Sequence, residues 1–522
     1  MAKIFLSLCI SIVFILMACT AEQERLSFLQ VKGDRIIDSA GREVILNGIN
    51  HVVKDPKKQY VYAADEQLFK NFRIYGFNCV RYGIIWDGLE PEPGVINEEY
   101  LKEIDKRVKW AEENGIWLVL DMHQDLYGRK FSDGAPQWAT LDDGLSHQSG
   151  DVWSDSYLIS PAVQRAFDNF WNNKPASDGK GVQDHYLEVW RVLAERYKDA
   201  PSVAGFDIMN EPFMGIEAQD VFRDLLKGYA EGAALQGGKL PNMNQLLTAF
   251  GSEASRIELL ESLNDKELYR TMTGAAGHRV KAFEEQKLSA FYQRARDIIR
   301  GTGSKQLLFL EHSYFCNMGI PSYFTVPRGT DNRKDPNCVY APHGYDLVTD
   351  TDAADNPDYS RTEVIFEQIF KNGENKQLPV WIGEWGAFYK GKDYRSAASY
   401  IIQMIEQRLA GQTYWCWWPQ IEDQDYFKIA LSRPYPMAVA GKLKSYTNTE
   451  DRFVCKWNEQ AGETEESCFF VPKLSLLEEH QLQIEPLSAY RIEPIAGSQS
   501  GYLIVTPCGK NVDRCISFPS LN

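Results

Sequence analysis

Long hydrophobic runs are almost missing from this 522-residue chain. The one extended apolar stretch, Ile4–Met17, is too short to cross a bilayer comfortably, and no other segment is apolar for long enough to try. Excess positive charge is missing too. The net charge is −16, so a polyanion is repelled overall and nucleic acid is excluded as an expected partner. Metal-type cysteine spacing is absent: none of the ten cysteines falls in a CxxC or Cys/His pattern, and no metal or cofactor is expected. Aromatics are not scarce, at 12% with 13 Trp and 26 Tyr. Such a surplus suits sugar or lipid binding, yet large cores use it as filler, so composition leaves the ligand open.

The N-terminal run, preceded by Lys3, fits the apolar region of a signal peptide over residues 1–18. Leu16-Met17-Ala18-Cys19 resembles a bacterial lipobox, with small Ala18 before the cysteine and polar Thr20-Ala21-Glu22-Gln23 after it. The expectation is an exported chain anchored to the cell envelope through lipidated Cys19, with residues 19–29 as linker. Export makes disulfides possible, and Cys455/Cys468, Cys508/Cys515 and Cys316/Cys338 are the sequence-close pairs. Cys79 and Cys416 fall in apolar strand patterns and read as core.

Eight apolar runs recur along the chain: 44–53, 78–85, 116–123, 203–210, 307–312, 339–345, 380–385 and 412–418. Amphipathic stretches such as EEYLKEIDKRVKWAEENG separate them. Continuous apolar strands alternating with helices predict a parallel sheet covered on its outside, and eight such units predict a (β/α)8 barrel over 30–435. Residues 215–300 form a helical insertion, mostly packing material, with a lid or lipid-facing cover as the alternative. The hairpin LQVKGDRIIDSAGREVILNG is expected to close the barrel bottom. Beyond RPYPMAVAG the texture turns short, β-rich and Gly/Pro-broken, predicting a C-terminal antiparallel β-sandwich over 440–522.

Polar groups sit at the C-terminal end of nearly every run: Asn50, Arg81, His123, Asn210, Glu211, His343 and Glu384. That is the catalytic face of such a barrel, which explains why the core-like run GFDIMNEPF ends in an amide and an acid. Glu211 follows strand four and Glu384 strand seven, so the two face each other across the pocket. Opposed carboxyls about 5–5.5 Å apart are the arrangement for retaining glycoside hydrolysis, one donating a proton and the other attacking. Arg81 and Tyr345 are expected to favour the ionised form of Glu384. Singly, each residue also has a structural explanation: ion pair, loop cap or core tryptophan.

NEP after strand four, HGY after strand six and GEWG after strand seven resemble glycoside hydrolase family five. LNGINHVVK, DMHQDLYGRKFSDGAPQWA and RPYPMAVAG narrow the resemblance to its endoglycoceramidase-like branch, over about residues 30–445. The resemblance implies Glu211 as acid/base, Asn210 as partner of the sugar 2-hydroxyl and Glu384 as nucleophile. It also implies Tyr345 as hydrogen-bond donor to that nucleophile and Arg81 as its charge partner. His123 and His343 would support carboxylates and sugar, Lys54 and Asp125 would contact hydroxyls, and Trp417 would be the sugar platform, with Trp415 and Trp418 as rivals. Glu311 and His312 also reach the rim but receive no step.

The expected activity is cleavage between glycan and ceramide by a monomeric, membrane-anchored enzyme acting on glycolipid. A β-glucanase or β-mannanase with the same glutamates, and a catalytically silent carbohydrate-binding lipoprotein, are the alternatives. On the lipid side, Phe213 and Met214 are expected to face the pocket mouth, with Val221, Phe222, Leu225 and Leu226 mostly packing the insertion.

Overall fold

The computed structural model describes residues 26–237, 242–249, 253–351, 358–388 and 395–520. Cys19, with the rest of the leader, lies outside the described residues. Eight parallel strands build the centre: β1 Asn47–His51, β2 Cys79–Ile85, β3 Trp117–His123, β4 Val203–Asp207, β5 Leu307–Leu310, β6 Cys338–Tyr340, β7 Trp381–Ile382 and β8 Gly411–Tyr414. They hydrogen-bond in the order β7-β8-β1-β2-β3-β4-β5-β6. The ring closes where Tyr340 pairs with Val380 in parallel and its N–H donates to the Pro379 carbonyl at 3.0 Å. All seven residues of β3 are buried, as expected of a strand covered on both faces.

The helices follow from the sequence in the ordinary way. Over Glu98–Glu113, Asn97 caps the first turn by accepting from the Tyr100 N–H. Leu101, Ile104, Val108 and Ala111 then recur on the buried face. The barrel bottom is stoppered by Leu29, Ile36, Val44 and Leu46, packed against Trp117, Phe309 and Trp381. The early hairpin therefore does lie there, but it has a second allegiance. Gln30–Lys32, Arg35–Ile37 and Glu43–Val44 form one end of a seven-stranded antiparallel sheet completed by 435–439, 467–471, 501–505 and 490–494. A four-stranded sheet faces it, and Phe453, Trp457, Phe469 and Phe518 fill the space between. The fold is a (β/α)8 barrel with C-terminal antiparallel sheets. Among the described residues no disulfide joins any of the three sequence-close cysteine pairs.

Several strands are shorter than their apolar runs. The ladder of β4 stops at Asp207, three residues before Asn210, and β6 stops at Tyr340. His343 and Glu384 instead pair with each other in a separate two-stranded parallel patch. Hydrophobic continuity reports burial, and the chain stays buried past the point where pairing ends.

Candidate active site

A cavity of about 600 Å³ opens at the C-terminal ends of the strands. Lys54, His123, Asp125, Asn210, Glu211, Tyr345 and Glu384 all line it. Beneath it stands Arg81 from β2, fully buried. Its Nε donates to Asp207 at 2.8 Å, Nη1 to Glu384 Oε1 at 2.6 Å, and Nη2 to Asn210 Oδ1 at 3.0 Å and Glu311 Oε1 at 2.8 Å. Asp121 Oδ1 lies 2.9 Å from Nη2. One guanidinium thus fixes the nucleophile candidate, the amide beside the acid candidate and three deeper carboxyls. The planar donor fork of Arg permits this where a lysine could not.

Glu211 and Glu384 converge on His343. His343 Nδ1 lies 3.0 Å from Glu211 Oε1 and 3.5 Å from Glu384 Oε2, and each pair among these three residues has facing atoms within 4.8 Å. Glu211 adopts φ 45°, a left-handed conformation that turns the chain away from the ladder direction after Asn210. Its N–H donates to Glu311 Oε2 at 2.8 Å, and Asn317 Nδ2 donates to its Oε1 at 2.6 Å. Tyr345 donates to Glu384 Oε2 at 2.8 Å. Gly386, the last residue of GEWG, takes φ +97°, and a Cβ there would sit 2.2 Å from the Tyr414 ring.

Electrostatically the site departs from the sequence expectation for Glu384. Burial pushes its carboxyl up to about 7, and the pull of His343 and Arg81 toward ionisation only partly offsets this. Burial likewise lifts Glu311 to about 8, and Asp121 and Asp207 to about 6. For His343, burial opposes the cation, yet Glu311 and Glu384 outweigh it and hold the imidazole well above its usual value.

On the opposite wall, Lys54 is ion-paired to Asp125, with Asp133 at 3.8 Å, and lies 4.9 Å from the Trp415 ring centre. His123 Nδ1 lies 2.8 Å from Asp121 Oδ2, and the ring stacks on Trp415 with ring centres 5.2 Å apart. Its Nε2 is buried without a hydrogen-bond partner among the described groups, with Asp125 Oδ2 at 3.9 Å. Of the three tryptophans Trp415, Trp417 and Trp418, Trp415 lines the cavity, as does Trp153 elsewhere in the chain. Trp417 does not line it, packing instead against His51 and Tyr62 at 5.2 and 5.0 Å. Asn317, Gln124 and Asp133 escaped the sequence reading. Asn317 sits in an aperiodic loop, HSYFCNMG, whose only signal is that it follows a barrel strand.

A second chamber of about 230 Å³ adjoins the cleft, and the two share Ser154, Phe315, Met318, Leu347 and Thr349. Apart from Asp155 and Thr351 its remaining wall is largely apolar, with Phe222, Leu225, Leu226, Leu246, Leu260 and Met272 from the insertion among its members. The placement expected for Phe213 and Met214 fails here. Both are fully buried and line neither space, because Phe213 is clasped by Tyr157, Phe167, Tyr314 and Phe315. The residues assigned to packing, Phe222, Leu225 and Leu226, are the ones that line the chamber.

Three carboxylate or imidazole sets have the closeness of metal ligands: His123-Asp125-Asp133, Glu211-His343-Glu384 and Asp121-Asp207-Glu311. Each already contains or touches a protein cation: Lys54 in the first, His343 in the second, Arg81 in the third. What the arrangement can do directly is present two carboxyls to opposite sides of one reacting carbon.

A family model described as cellulase (glycosyl hydrolase family 5) matches residues 37–235 and 261–421. An endoglycoceramidase of Cyanea nozakii is 35% identical over 219 residues, 36% of this chain and 42% of that protein. Endoglycoceramidase I of Rhodococcus hoagii (strain 103S) is 31% identical over 191 residues, 36% of this chain and 37% of that protein. The chain therefore spans less than half the length of these curated relatives. Among solved structures, endo-glycoceramidase II from Rhodococcus sp. in a five-membered iminocyclitol complex superposes with a TM-score of 0.70 at 26% identity. That match covers 94% of this chain and 99% of the other. A ganglioside GM3 complex of that enzyme superposes equally well, at 25% identity. The chain belongs to glycoside hydrolase family 5, within the retaining clan A.

Proposed function

We propose that this glycosidase hydrolyses the bond between glycan and ceramide in glycosphingolipids, and that it does so anchored to the cell envelope by lipid on Cys19. The observation that carries the substrate reading is the junction of a polar cleft with an apolar chamber across Phe315, Met318 and Leu347. A glycan end and a hydrocarbon end would each meet matching chemistry on either side of the carboxyl pair. The GM3 complex of the Rhodococcus enzyme supports the same reading.

In the first step, ionised Glu384 attacks the anomeric carbon while Glu211 gives its proton to the departing ceramide oxygen. The products are a glycosyl ester on Glu384 and free ceramide. In the second step, Glu211 takes a proton from water, whose oxygen attacks the same carbon and releases Glu384 and the glycan. Arg81 and Tyr345 stabilise the carboxylate as it forms and leaves, Asn317 and His343 orient Glu211, and Lys54, Asp125, His123 and Trp415 face the sugar.

The test is a substrate panel. Release of free glycan from a glycosylceramide, with little turnover of soluble β-glucan or β-mannan, is expected; the reverse preference establishes a polysaccharide hydrolase. Binding without turnover of either establishes a silent carbohydrate-binding protein. For the anchor, Cys19→Ser is expected to move the protein from the membrane fraction to the soluble one while hydrolysis of a soluble aryl glycoside is unchanged. Undiminished membrane association refutes the lipid anchor.

A further inference from the structure

Glu284 lies at the start of a π-helical turn, Glu284–Leu288, that follows the insertion helix Lys266–Phe283. It is fully buried, and among the described residues no cation comes within ion-pair distance of it. A bare buried carboxylate is costly unless hydrogen bonds satisfy it, and here they do. Oε1 accepts from the Ser313 N–H at 2.8 Å, with Cys316 Sγ at 3.6 Å. Oε2 accepts from Ser322 Oγ at 2.9 Å, from the Phe324 N–H at 3.0 Å and from the Tyr323 N–H. One oxygen therefore holds the beginning of the 313–324 loop and the other holds its end.

Between those ends lies functional surface. The loop carries Asn317, whose amide donates to Glu211 at 2.6 Å and whose carbonyl oxygen lies 2.8 Å from His312 Nε2. It also carries Phe315 and Met318, the wall shared by cleft and chamber. The helix before Glu284 contributes Met272 to the chamber, and its Tyr269 hydroxyl donates to the Met318 carbonyl at 2.7 Å. The chamber wall and the acid are thus joined through one carboxylate. π-Turns inside helices are frequent at functional sites, and this one carries a buried acid.

We infer that Glu284 is a positioning residue that clamps the 313–324 loop so that Asn317 holds Glu211 in its proton-donating geometry, and that it links this contact to the helix lining the apolar chamber. The inference rests on Glu211 being the acid. A glutamine at 284 keeps the volume but has one acceptor oxygen instead of two. Whichever way the amide turns, its NH2 faces N–H donors at one end of the loop, and that end is released.

Glu284→Gln is expected to lower kcat/KM on glycosides with an alkyl leaving group, which need the proton, by about tenfold or more, a fraction of what a general acid contributes. On a dinitrophenyl glycoside, which needs no proton to leave, the change should stay within about twofold. Combining Glu284→Gln with Asn317→Ala should cost no more than the larger single effect, because the two act in series. Equal losses on both substrates, or additive losses in the double variant, overturn the inference. If Glu284→Gln does not fold, Tyr269→Phe and Ser322→Ala each remove one tie and are read the same way. Glu211→Ala is measured alongside: if it lacks leaving-group dependence, the acid assignment itself fails, whatever Glu284 does.

Discussion

At the scale of single residues, the two glutamates are chemically alike and are separated by their neighbours. Glu384 is held by the Arg81 fork and the Tyr345 hydroxyl, two donors that favour a carboxylate forming and leaving. Glu211 meets Asn317, which donates to its Oε1, with His343 Nδ1 3.0 Å from the same oxygen, and its side chain lines the cleft. Glu384→Gln should therefore abolish glycan release while the protein stays folded, because the amide keeps the shape but cannot form the glycosyl ester. Glu211→Ala should still form the ester from substrates with good leaving groups, and azide should then restore turnover by attacking from the vacated side. Near-normal activity in folded Glu384→Gln, or no azide rescue in Glu211→Ala, would reverse these assignments. Most of this site could be read from the chain, because barrel strands deliver their terminal polar residues to one rim. The positions that escaped reach the site by other routes. Asn317 arrives on a 3-10 turn with no periodicity, and Trp415 is legible only as a rival of Trp417 because strand alternation has already ended at Tyr414.

At the scale of elements, the eight barrel strands were legible because burial on both faces leaves a continuous apolar signature, and the C-terminal sheets because short β-rich segments are broken by Gly and Pro turns. Which side an insertion residue faces was not. Phe213 and Leu225 look alike in sequence, yet Phe213 is locked in an aromatic cluster beneath the loop and Leu225 borders the chamber. The difference comes from the crossing of helices Ala218–Leu235 and Lys266–Phe283, a tertiary fact without local encoding. Phe222 and Leu260 are half-buried members of the chamber wall, so they can be changed with limited damage to the core. Replacing both with Ser should raise KM for a glycosylceramide about tenfold or more. Each buried methylene contributes about 0.8 kcal/mol, and 1.4 kcal/mol is a factor of ten. KM for a short aryl glycoside should hardly move. Equal increases on both substrates would show that the pair supports the barrel and that the hydrocarbon binds elsewhere.

At the scale of the whole molecule, the barrel centre carries an imbalance that should be visible in stability. Asp121, Asp207, Glu311 and Glu384 crowd around Arg81 and His343, with Lys54 acting on Asp121 and Glu384 from the cleft side. Burial in this crowded centre lifts Asp121 and Asp207 to about 6, Glu384 to about 7 and Glu311 to about 8. The folded protein therefore keeps protons that the unfolded chain releases near the ordinary carboxylate value. A group raised in this way contributes stability that is complete below its unfolded pKa and is lost as pH rises through its folded one. His343, held above its usual value, acts in the same direction: its contribution is present while the unfolded imidazole is also protonated and is lost at higher pH. The cluster as a whole should make the protein less stable as pH climbs from about 6 to about 8, the interval spanned by the raised carboxyls. Tm measured across that interval in buffers of constant ionic strength should fall. Glu311→Gln, a permanent neutral substitute at the group raised furthest, should flatten the decline. A Tm that rises through the interval, or a decline that is as steep in Glu311→Gln, would mean that the central carboxyls are already ionised in the folded protein.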